Sequence, residues 1–137
     1  MKPIEYRAGY KYQLTSDGND AETGIIPAHR IETEYINLNL AGLITVKHGY
    51  AWDGPSGPTI DTKNFMRGSL FHDALYQLLR EGHLAHAQRP AVDLLLKKLC
   101  LEDGMSKLRA WYVWKGVEDG ANSASLAAAI KPILKAP

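Results

Sequence analysis

Six residues that can move protons or hold a cation fall into three short groups: Asp53 and Ser56; His72, Asp73 and Tyr76; and Asp93. A histidine beside a carboxylate is equipment for general acid–base chemistry. Imidazole titrates near neutrality, and a neighbouring carboxylate fixes its tautomer and strengthens its hold on a proton. Asp53, Asp61 and Asp73, with loop carbonyls, offer oxygen-rich ligation that suits Ca²⁺ or Mg²⁺ better than zinc. Ser56 is a weaker nucleophile candidate, because Gly54–Pro55–Ser56–Gly57 is not a Gly-x-Ser-x-Gly elbow. Asp53 and Ser56 also have an ordinary role open to them, since Asp and Ser beside Gly and Pro readily close turns on their own backbone.

These groups need elements to bring them together. From Met66 to Arg80 apolar residues recur at three-to-four spacing, which predicts a helix with Phe71, Leu75, Leu78 and Leu79 on its buried side. On it His72 and Tyr76, four apart, stand at the edge of the apolar arc. Asp73 projects to the polar side with Ser69, Gln77 and Arg80, and Gly82 ends the helix. The loop from Gly49 to Pro58, Gly-Tyr-Ala-Trp-Asp-Gly-Pro-Ser-Gly-Pro, is expected to fold back on the 68–81 helix and bring Asp53 or Ser56 near His72. Trp52 belongs to that loop and is a candidate substrate contact. Asp93 falls in the first turn of a second helix opened by Pro90. There it can pair with Lys97 and serve the helix dipole. If the two helices pack side by side, it can instead accept from His72.

The whole chain, 1–137, reads as one domain: strands over 1–50, a motif loop over 51–65, and helices over 66–130. Alternation over 10–15 and 31–35 and the run Leu43–Val46 predict strands, with Ser16–Asp20 as a turn cluster. Tyr35 and Ile36 break the alternation, so a bulge or strand break is expected there. In the second helix Val92, Leu95, Leu96, Leu99 and Cys100 form the core face, closed by Gly104. Ser106 caps a third helix whose Trp111, Tyr112 and Trp114 are assigned to the core. Gly116 suggests a close helix approach, and an Ala-rich segment after Gly120 adds a short helix. The fold class is α+β: an N-terminal antiparallel β-meander packed on three to four C-terminal helices.

Composition narrows the partners. With 16 Lys and Arg against 15 Asp and Glu, the net charge of +1 gives no electrostatic case for nucleic acid. A single cysteine, Cys100, provides neither a disulfide framework nor a cysteine zinc site, and its apolar setting predicts an inert core thiol. No apolar run approaches a transmembrane segment, and Met1–Tyr6 does not resemble a signal peptide. Synthesis in the cytoplasm is the expectation.

Two resemblances follow from these motifs. Gly49-Tyr-Ala-Trp-Asp53-Gly-Pro-Ser56-Gly-Pro58, then His72-Asp73-Ala-Leu-Tyr76, then Arg89-x-x-Val-Asp93, resemble the ordered signature of a small family of unknown function encoded by tailed bacteriophages and prophages. Its pattern is Gly-Phe-x-Thr-Asp-x-Ala-Ser-x-Pro, His-Asp-x-Leu-Tyr and Arg-x-x-Ala-Asp. Tyr50, Trp52 and Pro55 depart from it, and the match covers residues 43 to 116 or thereabouts. This resemblance implies a phage or prophage source, phage proteins as partners, and the host cytoplasm or the virion as location. More locally, His-Asp-x-x-Tyr on a helix, after a Gly-rich loop and before an Asp on another helix, is similar to secreted phospholipases A2. That likeness implies His72 as the base that activates water, Asp73 as a Ca²⁺ ligand, and Asp93 orienting His72 with help from Tyr76. The chain lacks that family's disulfides and the cysteine beside its Tyr, and its loop carries two prolines and an acid.

Two functions remain open on these grounds. One is a small metal-assisted hydrolase, with His72 as general base, Asp73, Asp93 and Tyr76 around it, and Asp53 or Asp73 placing a divalent cation. The other is a non-enzymatic phage accessory or virion-associated protein, where the same residues form a structural hydrogen-bond network.

Overall fold

Why the first third of the chain makes only short strands is visible in its punctuation: Ser-Asp-Gly, Thr-Gly, Asn-Leu-Ala-Gly and His-Gly interrupt every apolar run. The computed structural model describes residues 4–7, 12–52 and 63–126. Seven strands form two antiparallel sheets. β1 (Tyr6–Arg7), β2 (Tyr12–Leu14) and β7 (Ala51–Trp52) make the first, in the order β1-β2-β7. β3 (Asn19–Glu22), β4 (Ile31–Glu32), β5 (Ile36–Leu38) and β6 (Leu43–Val46) make the second, in the order β3-β6-β5-β4. The β4-β5-β6 portion is a meander, and β3 joins its far edge through pairs such as Ala21 with Ile44.

The break expected near Tyr35 is present between β4 and β5, and it puts Ile31, Ile36 and Leu38 on one buried face. β3 is a correction, since Asn19 and Asp20 lie in a strand rather than in the turn. Their composition favours a turn, but the Asn19 amide donates to Ser16 O at 2.8 Å and Val46 O at 3.3 Å. Those bonds tie the segment to β6.

Three helices follow: α1 (Lys63–Arg80), α2 (Arg89–Glu102) and α3 (Lys107–Leu126). The chain is α+β, antiparallel sheets first and helices after. α1 begins at Lys63, ahead of the expected start at residue 66, and β7 occupies two residues assigned to the motif loop. Both α1 and α2 end in a glycine of left-handed backbone, Gly82 (φ 81°) and Gly104 (φ 97°). In each case the next residue's N–H reaches back five positions, His83 to Leu78 O and Met105 to Cys100 O, both at 2.9 Å. These closures satisfy carbonyls the helix ends would otherwise leave bare. They also let the chain reverse, so that α2 returns antiparallel along α1: Tyr76 and His72 meet Asp93, and Arg67 meets Asp103.

The main core joins the sheets to one face of α1 and to Val92, Leu95 and Leu99 of α2. A second cluster, Phe65, Leu96, Cys100, Met105, Ala110 and Val113, seats α3. The aromatic assignment for α3 is corrected: Trp111 and Tyr112 are exposed (42% and 64%), with Leu108 beside them (68%). Small and β-branched residues, Ala110 and Val113, take the buried side instead. Trp114 is half-buried beneath the Lys97 ammonium, 5.3 Å from its ring centre. α3 also runs unbroken through Gly120 to Leu126, so no separate short helix starts there. Among the described residues no helix is long and apolar enough to cross a membrane.

Candidate functional site

The site begins with a glycine. A Cβ on Gly68 would lie 3.1 Å from both Cys100 Sγ and Leu96 Cδ1, tighter than an ordinary contact, so glycine lets α1 and α2 approach closely without either side chain giving way. By contrast, a Cβ on Gly116, where close approach was expected, would meet nothing within 4 Å. One turn after Gly68 stands His72, and the close helix pair presents it directly to Asp93.

Asp93 is fully buried (0% exposed). Its Oδ1 faces His72 Nε2 at 2.9 Å and accepts from the Tyr76 hydroxyl at 2.6 Å, while its Oδ2 accepts from Arg89 Nη1 at 3.2 Å. A carboxylate oxygen only accepts, so the network assigns the imidazole proton to Nε2 and leaves the lone pair on Nδ1. The His72 and Tyr76 rings lie 4.3 Å apart between centres and tilted by 32°, which further fixes the imidazole. The Lys97 pairing considered for Asp93 is not made. Arg89 takes that place, four residues before it instead of after.

Asp73 lies on the outer side of the histidine, its Oδ1 3.9 Å from His72 Nδ1 and its side chain 34% exposed. That separation is too long for a hydrogen bond. Burial works against a charged His72, yet the carboxylates of Asp73 and Asp93 outweigh it and hold its pKa above the ordinary histidine value. Burial, then Asp93, pushes the Tyr76 pKa far up, so its hydroxyl stays a donor. Cys100 is buried, and its thiol pKa is raised to about 12, first by burial and then by Asp103. It is a packing residue.

The start of the motif loop does return to α1. Trp52, 2% exposed, donates from Nε1 to Ser69 Oγ at 3.0 Å, and the Ser69 hydroxyl donates to Met66 O at 2.9 Å. The Tyr50 hydroxyl meets Gln77 Oε1 at 3.3 Å. Trp52 is therefore a buried pin between β7 and α1 rather than a substrate contact. Ser69 is corrected from the polar side to the interior. A buried hydroxyl there is satisfied because tryptophan supplies a donor and the helix a carbonyl. Asp53, Ser56 and Asp61 lie outside the described residues, so the proposed approach of Asp53 or Ser56 to His72 does too.

Sequence reasoning gives no role to Gly68, nor to Arg89 beyond its place in the Arg89-x-x-Val-Asp93 motif. Arg89 had a signal, its four-residue spacing to Asp93; Gly68 had none beyond being a glycine inside a helix. Among the described residues no group of three or more His, Cys, Asp or Glu is placed to hold a metal ion. Asp73 alone does not make a Ca²⁺ or Mg²⁺ site, which would need further oxygen ligands. Compared with protein-family models, curated proteins and solved structures, the chain matches none.

Proposed function

We propose that this protein is a small hydrolase in which His72 is the general base. Nδ1 takes a proton from the attacking water as it adds to an ester, amide or phosphoester, Asp93 stabilises the imidazolium that forms, and the proton then passes from Nδ1 to the departing alcohol or amine as its bond to carbon or phosphorus breaks. One observation carries the reading: a fully buried Asp93 occupies Nε2 at 2.9 Å, while Nδ1 makes no hydrogen bond among the described residues. A base needs one nitrogen anchored and the other available. Tyr76 reinforces the anchor. Asp73, beside Nδ1, favours the protonated ring and the approach of an electropositive centre. The raised pKa of His72 means that base strength is gained and the free-base population reduced, so the rate should climb at a higher pH than an ordinary histidine base would give. On the likeness of its motifs to the phage and prophage signature, we place such an activity in a bacterial host cell or a virion.

A second reading is favoured by the low exposure of His72, 8%. There the protein is a non-enzymatic phage accessory or virion-associated component, working with other phage proteins, and the His72–Asp93–Tyr76 network locks α1 to α2. Buried polar networks serve that purpose when every member is satisfied. His72→Gln separates the two, because Gln keeps hydrogen-bonding capacity but cannot act as a base. The variant is assayed against nitrophenyl ester, nitroanilide and nitrophenyl phosphodiester substrates, with thermal unfolding alongside. The hydrolase reading expects wild-type turnover of one class and a loss of roughly 10²–10⁴ in the folded variant. No turnover of any class by wild type, with function tracking only the folded fraction, supports the second.

A further inference from the structure

We propose that Arg89 is a positioning residue that sets the proton affinity of His72 through Asp93. Three side chains divide one carboxylate: His72 and Tyr76 use Oδ1, and the guanidinium uses Oδ2 at 3.2 Å. A cation held against Asp93 offsets part of the field that would otherwise keep a proton on His72. Without Arg89, the carboxylate would have the imidazolium as its only cationic partner among the described residues. The histidine would then be held protonated too firmly to accept another proton.

Two local features show that Arg89 is not placed for its own benefit. It is the first residue of α2, where the positive end of the helix dipole disfavours a cation. Its Nε is buried with no hydrogen-bond partner among the described residues, an arrangement that carries a desolvation cost. Both costs are borne beside Asp93, and the contact with Asp93 is what offsets them. Among the described residues, the charged and titratable groups facing His72 are Asp73 and Tyr76 from α1, and Asp93 with Arg89 behind it from α2. Asp73 and Asp93 favour the imidazolium, Tyr76 adds no charge, and Arg89 is the one cation among these four.

This rests on the reading of His72 as a base, but its test needs no substrate. The His72 ring is titrated by NMR in wild type, Arg89→Gln and Arg89→Lys, so a failed hydrolase assay leaves the outcome unaffected. In Arg89→Gln the His72 pKa should rise, by on the order of one unit for a charge removed at this range. Arg89→Lys keeps the charge and should restore most of the difference. Thermal unfolding gives an independent reading should the Gln variant be marginal near pH 8. Protonated His72 takes over the lost charge, so that variant should lose more Tm at pH 8 than at pH 6. The proposal is overturned if His72 in Arg89→Gln titrates at or below its wild-type pKa. It is equally overturned if Lys shifts the pKa as far as Gln, or if the Tm loss is the same at both pH values.

Discussion

Gly68 on α1 and Cys100 on α2 meet so closely that a single added methyl would sit 3.1 Å from the sulfur. The histidine–aspartate pair depends on this contact, because His72 lies one turn along the same helix and reaches Asp93 directly, at 2.9 Å. Packing and chemistry are thus coupled: what sets the helix separation also sets the hydrogen bond.

Gly68→Ala gains the same helix propensity as any helical Gly→Ala but crowds Cys100 Sγ and Leu96 Cδ1 at 3.1 Å, so it should be less stable than Gly116→Ala by about 1–3 kcal/mol. It should also weaken the His72–Asp93 bond. Gly116→Ala, in open space on α3, should stabilise by about 0.5–1 kcal/mol through helix propensity alone. Denaturant unfolding of the two variants checks that order.

Trp52→Phe should cost about 1–2 kcal/mol, since it shortens a buried side chain and removes the donor to Ser69. Ser69 keeps its bond to Met66 O, so no hydroxyl is left fully bare. The expected signature in denaturant is a lower midpoint at unchanged slope. Trp111→Gln, on the exposed face of α3, should shift the midpoint by no more than about 0.5 kcal/mol.

Stability should depend on pH through His72. Its pKa is raised in the folded protein above the ordinary value of 6.5, so folding binds a proton more tightly than the unfolded chain does. The stability it contributes is fully present below about pH 6.5 and is lost as pH rises through the folded-state pKa. Turnover under the proposed hydrolase reading, which needs the free base, should rise over the same interval. Thermal unfolding from pH 5.5 to 9 should show this fall in wild type and its absence in His72→Gln.

Much of this arrangement was legible from residue order. The apolar period places His72 and Tyr76 on one edge of α1, and Gly82, Pro90 and Gly104 mark where the helices turn and start. Given two helices joined by a short reversal, Asp93 opposite His72 is a geometric option, but sequence alone favours a surface pair to Lys97. Packing decides it, through Gly68. Other features depended on distant partners and left little local trace. β3 reads as a turn because Asn19 and Asp20 are turn formers, and β6 overrides that preference. Trp111 and Tyr112 read as core because they are large and apolar, whereas α3 buries only the stripe that meets α1 and α2. Ser69 reads as a polar-face residue until Trp52 is brought above it.

Asp73→Asn and Asp93→Asn should differ in kind. Each removes a carboxylate that favours the imidazolium, so each should lower the His72 pKa. Only Asp93 bonds the ring, however, and only its loss should free the imidazole to exchange tautomers. NMR titration of both variants reads the two effects separately.

The most direct measurement is the ¹⁵N–¹H correlation of the His72 ring in wild type, recorded above its pKa. The account predicts a single tautomer, with the proton on Nε2 held by Asp93 and a pyridine-like Nδ1 carrying the lone pair. A His72 ring protonated on Nδ1, or one exchanging freely between tautomers, would contradict it.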